Sequence, residues 1–376
     1  MKKQALLFVL LGALLVTGCQ NGNQSSGKKA PEVEDLGVKD THTALMNEYL
    51  NDPDWESIKT YVPKVNAEDS SYHNDQSQPD PIKLEFAEVE TAEKYYLQVA
   101  KDVEFKDFKL IEVVSEEKSY NLYNTELGTD YYFRAAVSQE ALEAAKIKKF
   151  KVTDVAPRYI HVDGVINFRD SGGWKTTLVP NGIVKQGLYY RCAKFDSITA
   201  EGKAEIQRLG IKVDIDMRDS YQVPTKSPAS SDDWEVEVLK ASVASGTENT
   251  RWAGTGGIAA TYKKIFEAIA EADEKPIALH CTHGADRTGI VSWFLLGLLG
   301  VSKEDCGRDY VMTRFAGERA VLPTNEIKNW NEKTEALEGD TWAAKTYKHL
   351  NEDFGIETDT LETIREKFVP GYHRAA

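Results

Sequence analysis

Ten consecutive residues, His280-Cys281-Thr282-His283-Gly284-Ala285-Asp286-Arg287-Thr288-Gly289, could carry nucleophilic chemistry on an anion. A cysteine and an arginine stand six positions apart, between the apolar run Ile277-Ala278-Leu279 and the apolar stretch Gly289 to Leu299. That flanking reads as a buried strand running into a helix. A loop with this setting turns successive backbone N–H groups into a concave anion cradle, and the helix N-terminus adds a field that favours a dianion such as phosphate. Thr282, His283, Gly284, Ala285 and Asp286 would line the cradle, with Gly284 taking backbone angles that a side chain resists. Arg287 would offer two parallel N–H donors to two phosphoryl oxygens. The same field would lower the Cys281 thiol pKa, so that the nucleophilic thiolate is populated near neutral pH. Thr288 could hydrogen-bond the sulfur and help it leave. His280 reads as a residue that orients Cys281 through a hydrogen bond.

The segment resembles the Cys-x5-Arg-Thr/Ser signature of the protein tyrosine phosphatase superfamily, including the preceding His and the following Gly. Further stretches look like ordered landmarks of its bacterial tyrosine/serine phosphatase branch: Asn167-Phe168-Arg169-Asp170-Ser171-Gly172-Gly173, Gly187-Leu188-Tyr189-Tyr190-Arg191, Asp214-Ile215-Asp216-Met217-Arg218 and Asp309-Tyr310. The resemblance runs from about Ile160 to Phe368. It implies hydrolysis of a phosphomonoester in two steps through a phosphocysteine on Cys281, with phosphotyrosine as substrate and phosphoserine or phosphothreonine beside it. It also makes Asp286 the first candidate for the carboxylic acid that protonates the leaving oxygen, ahead of Asp216, Asp219, Asp232 and Asp233. Arg169 and Asp170 read as an internal ion pair bracing the loop. Arg191 and Arg218 read the same way, with Asp216 in support. Two departures matter. Ala285 stands where the branch usually has Lys, and Thr282 is uncharged, which lowers the expectation of phosphoinositide hydrolysis. Cys192 stands where relatives usually carry Ser, a possible second oxidisable thiol.

The seven histidines show no metal-ligand spacing, and neither a metal nor another cofactor is called for. No Gly-Lys-Ser/Thr follows the cysteine loop, so it is not a nucleotide P-loop. Three rival readings stay open. One is an inositol phosphate or phosphoinositide phosphatase. Another is a catalytically inert surface-binding protein. The last, a sulfurtransferase-like cysteine loop, is disfavoured by Arg287-Thr288-Gly289.

The elements that must position these residues form an α/β pattern across 156–376. It comprises the helical stretch Thr199 to Leu209, strands at Val213–Met217 and Val236–Leu239, and an amphipathic helix over Ala259–Ala272. Trp330 to Tyr347 reads as packing helices. Residues 81–155 read instead as short strands: Ile82-Leu84-Phe86 and Tyr95-Leu97-Val99 in alternation, then Leu110–Val114, Tyr120–Tyr123, Tyr131–Val137 and Lys149–Val152. Such spacing suggests a small all-β sandwich. Leu127-Gly128-Thr129-Asp130-Tyr131-Tyr132-Phe133-Arg134 resembles the E–F corner and F strand of a fibronectin type III domain.

Lys2 and Lys3 precede an apolar run from Ala5 to Val16, too short for a comfortable membrane span. Val16-Thr17-Gly18-Cys19 resembles a bacterial lipoprotein signal over residues 1–18, which implies acylation of Cys19 and anchoring outside the cytoplasm. An ordinary signal peptide or an uncleaved anchor is the alternative. Residues 19–80 then read as tether and linker, with a weak helical pattern at Leu45, Tyr49, Trp55, Ile58 and Tyr61. With Cys19 acylated, Cys192, Cys281 and Cys306 leave at least one thiol unpaired, which argues against a disulfide framework. A formal charge of -14 makes nucleic acid and anionic lipid surfaces poor partners, so lipid on Cys19 would supply the membrane contact. The partner expected for the site is a phosphorylated protein or peptide.

Overall fold

A computed structural model describes residues 32–53, 75–86, 92–114, 116–243, 251–255, 257–316 and 325–374. The chain divides into two compact units, and neither is one continuous segment. In their described parts, the first takes the chain up to Lys39 with Lys83–Leu122 and Thr129–Val152. The second takes Asp40–Ile82, Tyr123–Gly128 and the chain from Thr153 onward.

The first unit is built from β1 (Val33–Lys39), β2 (Ile82–Glu85), β3 (Lys94–Ala100), β4 (Phe108–Val114), β5 (Ser119–Leu122), β6 (Asp130–Ala136) and β7 (Ile147–Val152). Five strands form a sheet in the order β1-β7-β6-β3-β4, and β2 pairs with β5. Alternation puts Ile82 and Leu84 inside and Lys83 and Glu85 outside. Leu97, Ile111, Val113, Phe133 and Phe150 complete the apolar interior.

Two features differ from the sequence reading. Part of the expected tether is structured: β1 pairs in parallel with β7, Val33 opposite Ile147. Its register shifts between Asp35 and Val38, where Gly37 takes φ 74° and donates its N–H to Asp35 Oδ1 at 2.8 Å. A bulge there breaks the period-two pattern, and a partner so distant in sequence leaves no local trace. Helix α1 (Ala44–Leu50) falls on the expected helical pattern at Leu45 and Tyr49, but it is part of the second unit rather than tether: it is capped by Thr43 and buries Met46 and Tyr49 there. Trp55, Ile58 and Tyr61 lie outside the described residues, as do Cys19 and the signal. Leu127 and Gly128, read as a corner of the β unit, belong to the second unit. There the Leu127 backbone accepts from and donates to the Gln186 amide at 3.1 and 2.9 Å.

The second unit carries β8 (Arg158–Tyr159), β9 (Arg169–Asp170), β10 (Lys175–Thr176), β11 (Gly182–Ile183), β12 (Tyr189–Cys192), β13 (Val213–Asp216), β14 (Glu237–Lys240) and β15 (Ile277–His280). Six of them make one mixed sheet in the order β14-β13-β15-β12-β9-β8. Its four strands β14, β13, β15 and β12 are parallel, β9 pairs antiparallel with β12, and β8 pairs antiparallel with β9. Helices α2 (Ala200–Arg208), α3 (Ile258–Ala270), α4 (Asp286–Leu298), α5 (Lys303–Val311), α6 (Asn325–Glu335), α7 (Trp342–Lys348) and α8 (Thr358–Phe368) accompany it. Helix α4 is apolar on nearly every side and is buried from Thr288 to Leu298, as a central helix must be. Trp330 packs against Trp293 at 5.5 Å and Tyr310 at 4.5 Å, so this aromatic stretch belongs to the core.

Candidate active site

The cysteine loop lies where parallel strand β15 ends and α4 begins, the place where an open parallel sheet leaves a crevice. Cys281 is buried, at 3% exposure. From Cys281 to Ala285 the carbonyls are all held from behind. The Cys281 carbonyl accepts from His280 Nδ1 (3.0 Å) and that of Thr282 from the Lys194 N–H (3.3 Å). The His283 carbonyl accepts from Asn167 Nδ2 (2.9 Å). Gly284 accepts from Arg191 Nη2 (2.9 Å) and Asn167 Nδ2 (3.3 Å), and Ala285 accepts from the Gly289 N–H (2.6 Å). In a trans peptide the following N–H points opposite the carbonyl. Anchoring five successive carbonyls therefore turns the N–H groups of residues 282–286 the other way, into an anion cradle. Gly284 has φ 66°, and a Cβ there would lie 2.2 Å from the Cys192 carbonyl oxygen. Only glycine fits both demands.

The Cys281 sulfur senses this geometry. Burial alone would push its thiol pKa up. The Thr288 hydroxyl and backbone N–H, the Arg287 charge and the His283 N–H outweigh burial and hold it below the ordinary value. Burial leaves Cys192 and Cys306 well above theirs. All three are free thiols, and only Cys281 has the electrostatics of a nucleophile.

Arg287 donates through Nη1 to the carbonyls of Met217 (3.0 Å) and Val243 (3.4 Å) and through Nη2 to Thr282 Oγ1 (3.4 Å). It is thus steadied by residues that follow β13 and β14. Asp286 opens α4, half-buried. Asp216 is fully buried and holds Arg218 through Nε (3.0 and 3.1 Å) and Nη2 (2.7 Å), so it serves as an anchor. Asp232 and Asp233 are exposed, and Asp219 is half-buried beyond β13.

The expected Arg169–Asp170 pair does not form. Neighbours in a strand point to opposite faces, and each finds another partner. Arg169 Nε meets Asp309 Oδ1 at 2.8 Å, while Asp170 Oδ2 meets Arg158 Nη1 at 2.9 Å. Arg191 takes the other Asp309 oxygen at 2.6 Å, which makes a buried Arg–Asp–Arg triad. Burial pushes the Asp309 carboxyl up, but Arg169 and Arg191 prevail and keep it below its usual range. Through Arg191 this triad reaches the Gly284 carbonyl. Arg169 Nη1 also donates to Asn167 Oδ1, the side chain that ties down His283 and Gly284. Arg169 and Arg191 therefore brace the loop, with Asp309 as their counter-charge. The sequence landmarks contained Asn167, Asp309 and Asp214, but nothing local assigns their partners. Tyr310 packs against Gly289, where a Cβ would come within 2.6 Å of its ring.

Among the described residues no group of His, Cys, Asp and Glu is arranged to hold a metal ion, and no helix is long and apolar enough to cross a membrane.

A mixed α/β sheet with a thiol of lowered pKa and an amide cradle at a helix N-terminus defines an anion-directed thiol site. The model of the tyrosine phosphatase family matches residues 160–374, more than half of the chain. The chain belongs to that family. A tyrosine-protein phosphatase from Nostoc commune is 25% identical over 142 residues, 33% of this chain and 48% of the relative, so the match spans about half the relative's length. A crystal structure of P. aeruginosa TpbA is similar at 17% identity, covering 42% of this chain and 95% of that one, with a TM-score of 0.25. A TpbA variant in complex with pTyr gives 16% identity, 42% and 94% coverage, and the same TM-score.

Proposed function

We propose that the protein is an exported, lipid-anchored phosphatase that hydrolyses phosphotyrosine, with phosphoserine and phosphothreonine as further substrates. The observation that carries this reading is the loop 281–285, whose carbonyls are tied back so that its amides converge around a thiol of lowered pKa. In the first step the Cys281 thiolate attacks phosphorus in line. The phosphorus–oxygen bond to the leaving group breaks as Asp286 delivers a proton to that oxygen, and a phosphocysteine remains. In the second step water attacks phosphorus, Asp286 takes its proton, and the sulfur leaves as thiolate beside the Thr288 hydroxyl. The amides and Arg287 stabilise the charge that gathers on the equatorial oxygens.

Two features favour a phosphorylated side chain over an inositol headgroup. Thr282 and Ala285 are uncharged, so those loop positions bring no cation for additional phosphates. Export and acylation of Cys19 rest on Lys2, Lys3, the apolar run and Gly18-Cys19. The β unit is read as fibronectin type III-like from its short alternating strands.

The test is turnover of p-nitrophenyl phosphate and of phosphopeptides by the full chain and by Cys281→Ser. The parent should release phosphate and be inhibited by vanadate. The variant should lose turnover and keep tungstate binding, because the amides remain. Parent-rate hydrolysis by Cys281→Ser would end the proposal, and a preference for inositol headgroups would replace the substrate assignment.

A further inference from the structure

Strand β13 places two carboxylates on the face where His280 stands. It pairs in parallel with β15, Asp216 opposite His280 and Asp214 opposite Ala278. Residues two apart share a face, so Asp214 and Asp216 both project toward the histidine ring. Nε2 of His280 lies 2.8 Å from Asp214 Oδ1 and 3.9 Å from Asp216 Oδ2. Nδ1 lies 3.0 Å from the Cys281 carbonyl oxygen. A carbonyl only accepts, so Nδ1 carries the proton of its bond to Cys281, and the 2.8 Å approach of Nε2 to the Asp214 carboxylate is an ion pair once Nε2 is protonated too.

Charge balance points the same way. Asp214, Asp216 and His280 are at most 1% exposed. Asp216 is matched by Arg218 at 2.7 Å, and Arg218 is also paired with Asp196 at 3.0 Å. Among the described residues Asp214 has no arginine or lysine partner, and its second oxygen accepts from Ser227 Oγ at 2.6 Å. An unmatched carboxylate at this depth is strongly unfavourable. The cation that offsets Asp214 is His280. From the other elements the ring meets Phe195, edge-on at 5.2 Å, and Cys192 stands opposite His280 in the register of β12. Neither brings a positive charge. Burial alone would lower the imidazole pKa, yet Asp214 and then Asp216 raise it to about 9.

We propose that Asp214 is a positioning residue that fixes His280 as a doubly protonated imidazolium behind the cysteine loop and thereby favours the thiolate form of Cys281. The imidazolium acts in two ways. Its charge belongs to the residue adjoining the nucleophile. Its Nδ1–H holds the Cys281 carbonyl backward, which turns the Thr282 N–H toward the anion. The inference builds on Cys281 as the nucleophile, but its decisive readouts need no turnover.

The experiment compares the full-length parent with Asp214→Asn and Asp214→Glu, using Cys281→Ser as the blank for thiolate absorbance at 240 nm. Imidazole nitrogen NMR follows the His280 ring from pH 6 to 10. The parent should show both ring nitrogens protonated at pH 8. In Asp214→Asn the ring should be neutral at pH 8. The Cys281 titration should then move up by about one unit, a tenfold lower thiolate-to-thiol ratio at pH 6. Asp214→Glu should restore the imidazolium signature. The proposal is overturned if the parent ring is neutral at pH 7, a result that stands even where a variant does not fold. It is equally overturned if Asp214→Asn leaves both titrations where the parent has them. A parent that titrates as described yet hydrolyses no phosphoester would sink the phosphatase reading and leave this one intact.

Discussion

Replacing Gly284 by alanine tests the geometry of the cradle directly. The residue has φ 66°, and the new Cβ would lie 2.2 Å from the Cys192 carbonyl oxygen, 2.5 Å from its carbon and 3.0 Å from the Ala193 nitrogen. These are backbone atoms at the end of β12, a strand paired with β15 on one side and β9 on the other, so they have little room to yield. Positive φ alone costs a non-glycine residue about 1–2 kcal/mol. Relieving the close contact requires the loop to retreat by roughly 1 Å, a displacement that can cost on the order of a hundredfold in rate. Arg191 and Asn167 oppose the retreat, because both hold the Gly284 carbonyl. The expected outcome is a loss of roughly 100-fold in kcat/KM on p-nitrophenyl phosphate, about 3 kcal/mol of transition-state stabilisation. Urea unfolding should show stability lower by about 1–3 kcal/mol. Gly210→Ala is the control, since Gly210 has φ 72° with nothing within 4 Å of its would-be Cβ. It should carry the stability cost of φ alone and leave kcat/KM unchanged. If Gly284→Ala kept kcat/KM within threefold of the parent, the account of an amide cradle wedged against β12 would be refuted.

Asp309→Asn should destabilise the protein by about 3–5 kcal/mol in denaturant unfolding, because it strands Arg169 and Arg191 in a buried site. A change below about 1 kcal/mol would show that the triad is not what holds them. His280, raised to about 9 from an ordinary value of 6.5, gives a signed pH dependence. The folded state binds the extra proton, so this contribution is complete below pH 6.5. It is lost as pH rises toward 9 and amounts to on the order of 3 kcal/mol. Unfolding free energies from pH 6 to 9.5, compared with those of His280→Gln, should differ progressively less as pH rises. A difference that stays constant over that range would contradict the charged ring.

Much of the site was legible locally because its parts are close in sequence. An apolar run, a cysteine, a loop with one glycine, an arginine six positions on and an apolar helix follow within twenty-odd residues. Backbone geometry turns that order into a cradle, and the alternation of Ile82–Glu85 gave its strand in the same way. Pairings across the chain were not legible. Arg169 and Asp170 are adjacent and oppositely charged, which suggests a pair, yet strand pleating sends them to Asp309 and Arg158. Strand β1 was missed because its bulge breaks the period and its partner β7 lies far along the chain.

The sequence by itself determined which thiol has a guanidinium and a helix start behind it, because these follow from neighbours along one covalent stretch. Tertiary structure alone decided what holds that stretch in shape: Asn167 and Arg191 on its carbonyls, Asp309 between two arginines, and Asp214 on His280. The reason is physical. Hydrogen bonds and charge pairs inside a protein are chosen by which strands lie side by side and which faces they share, and that information appears only once the sheet has closed.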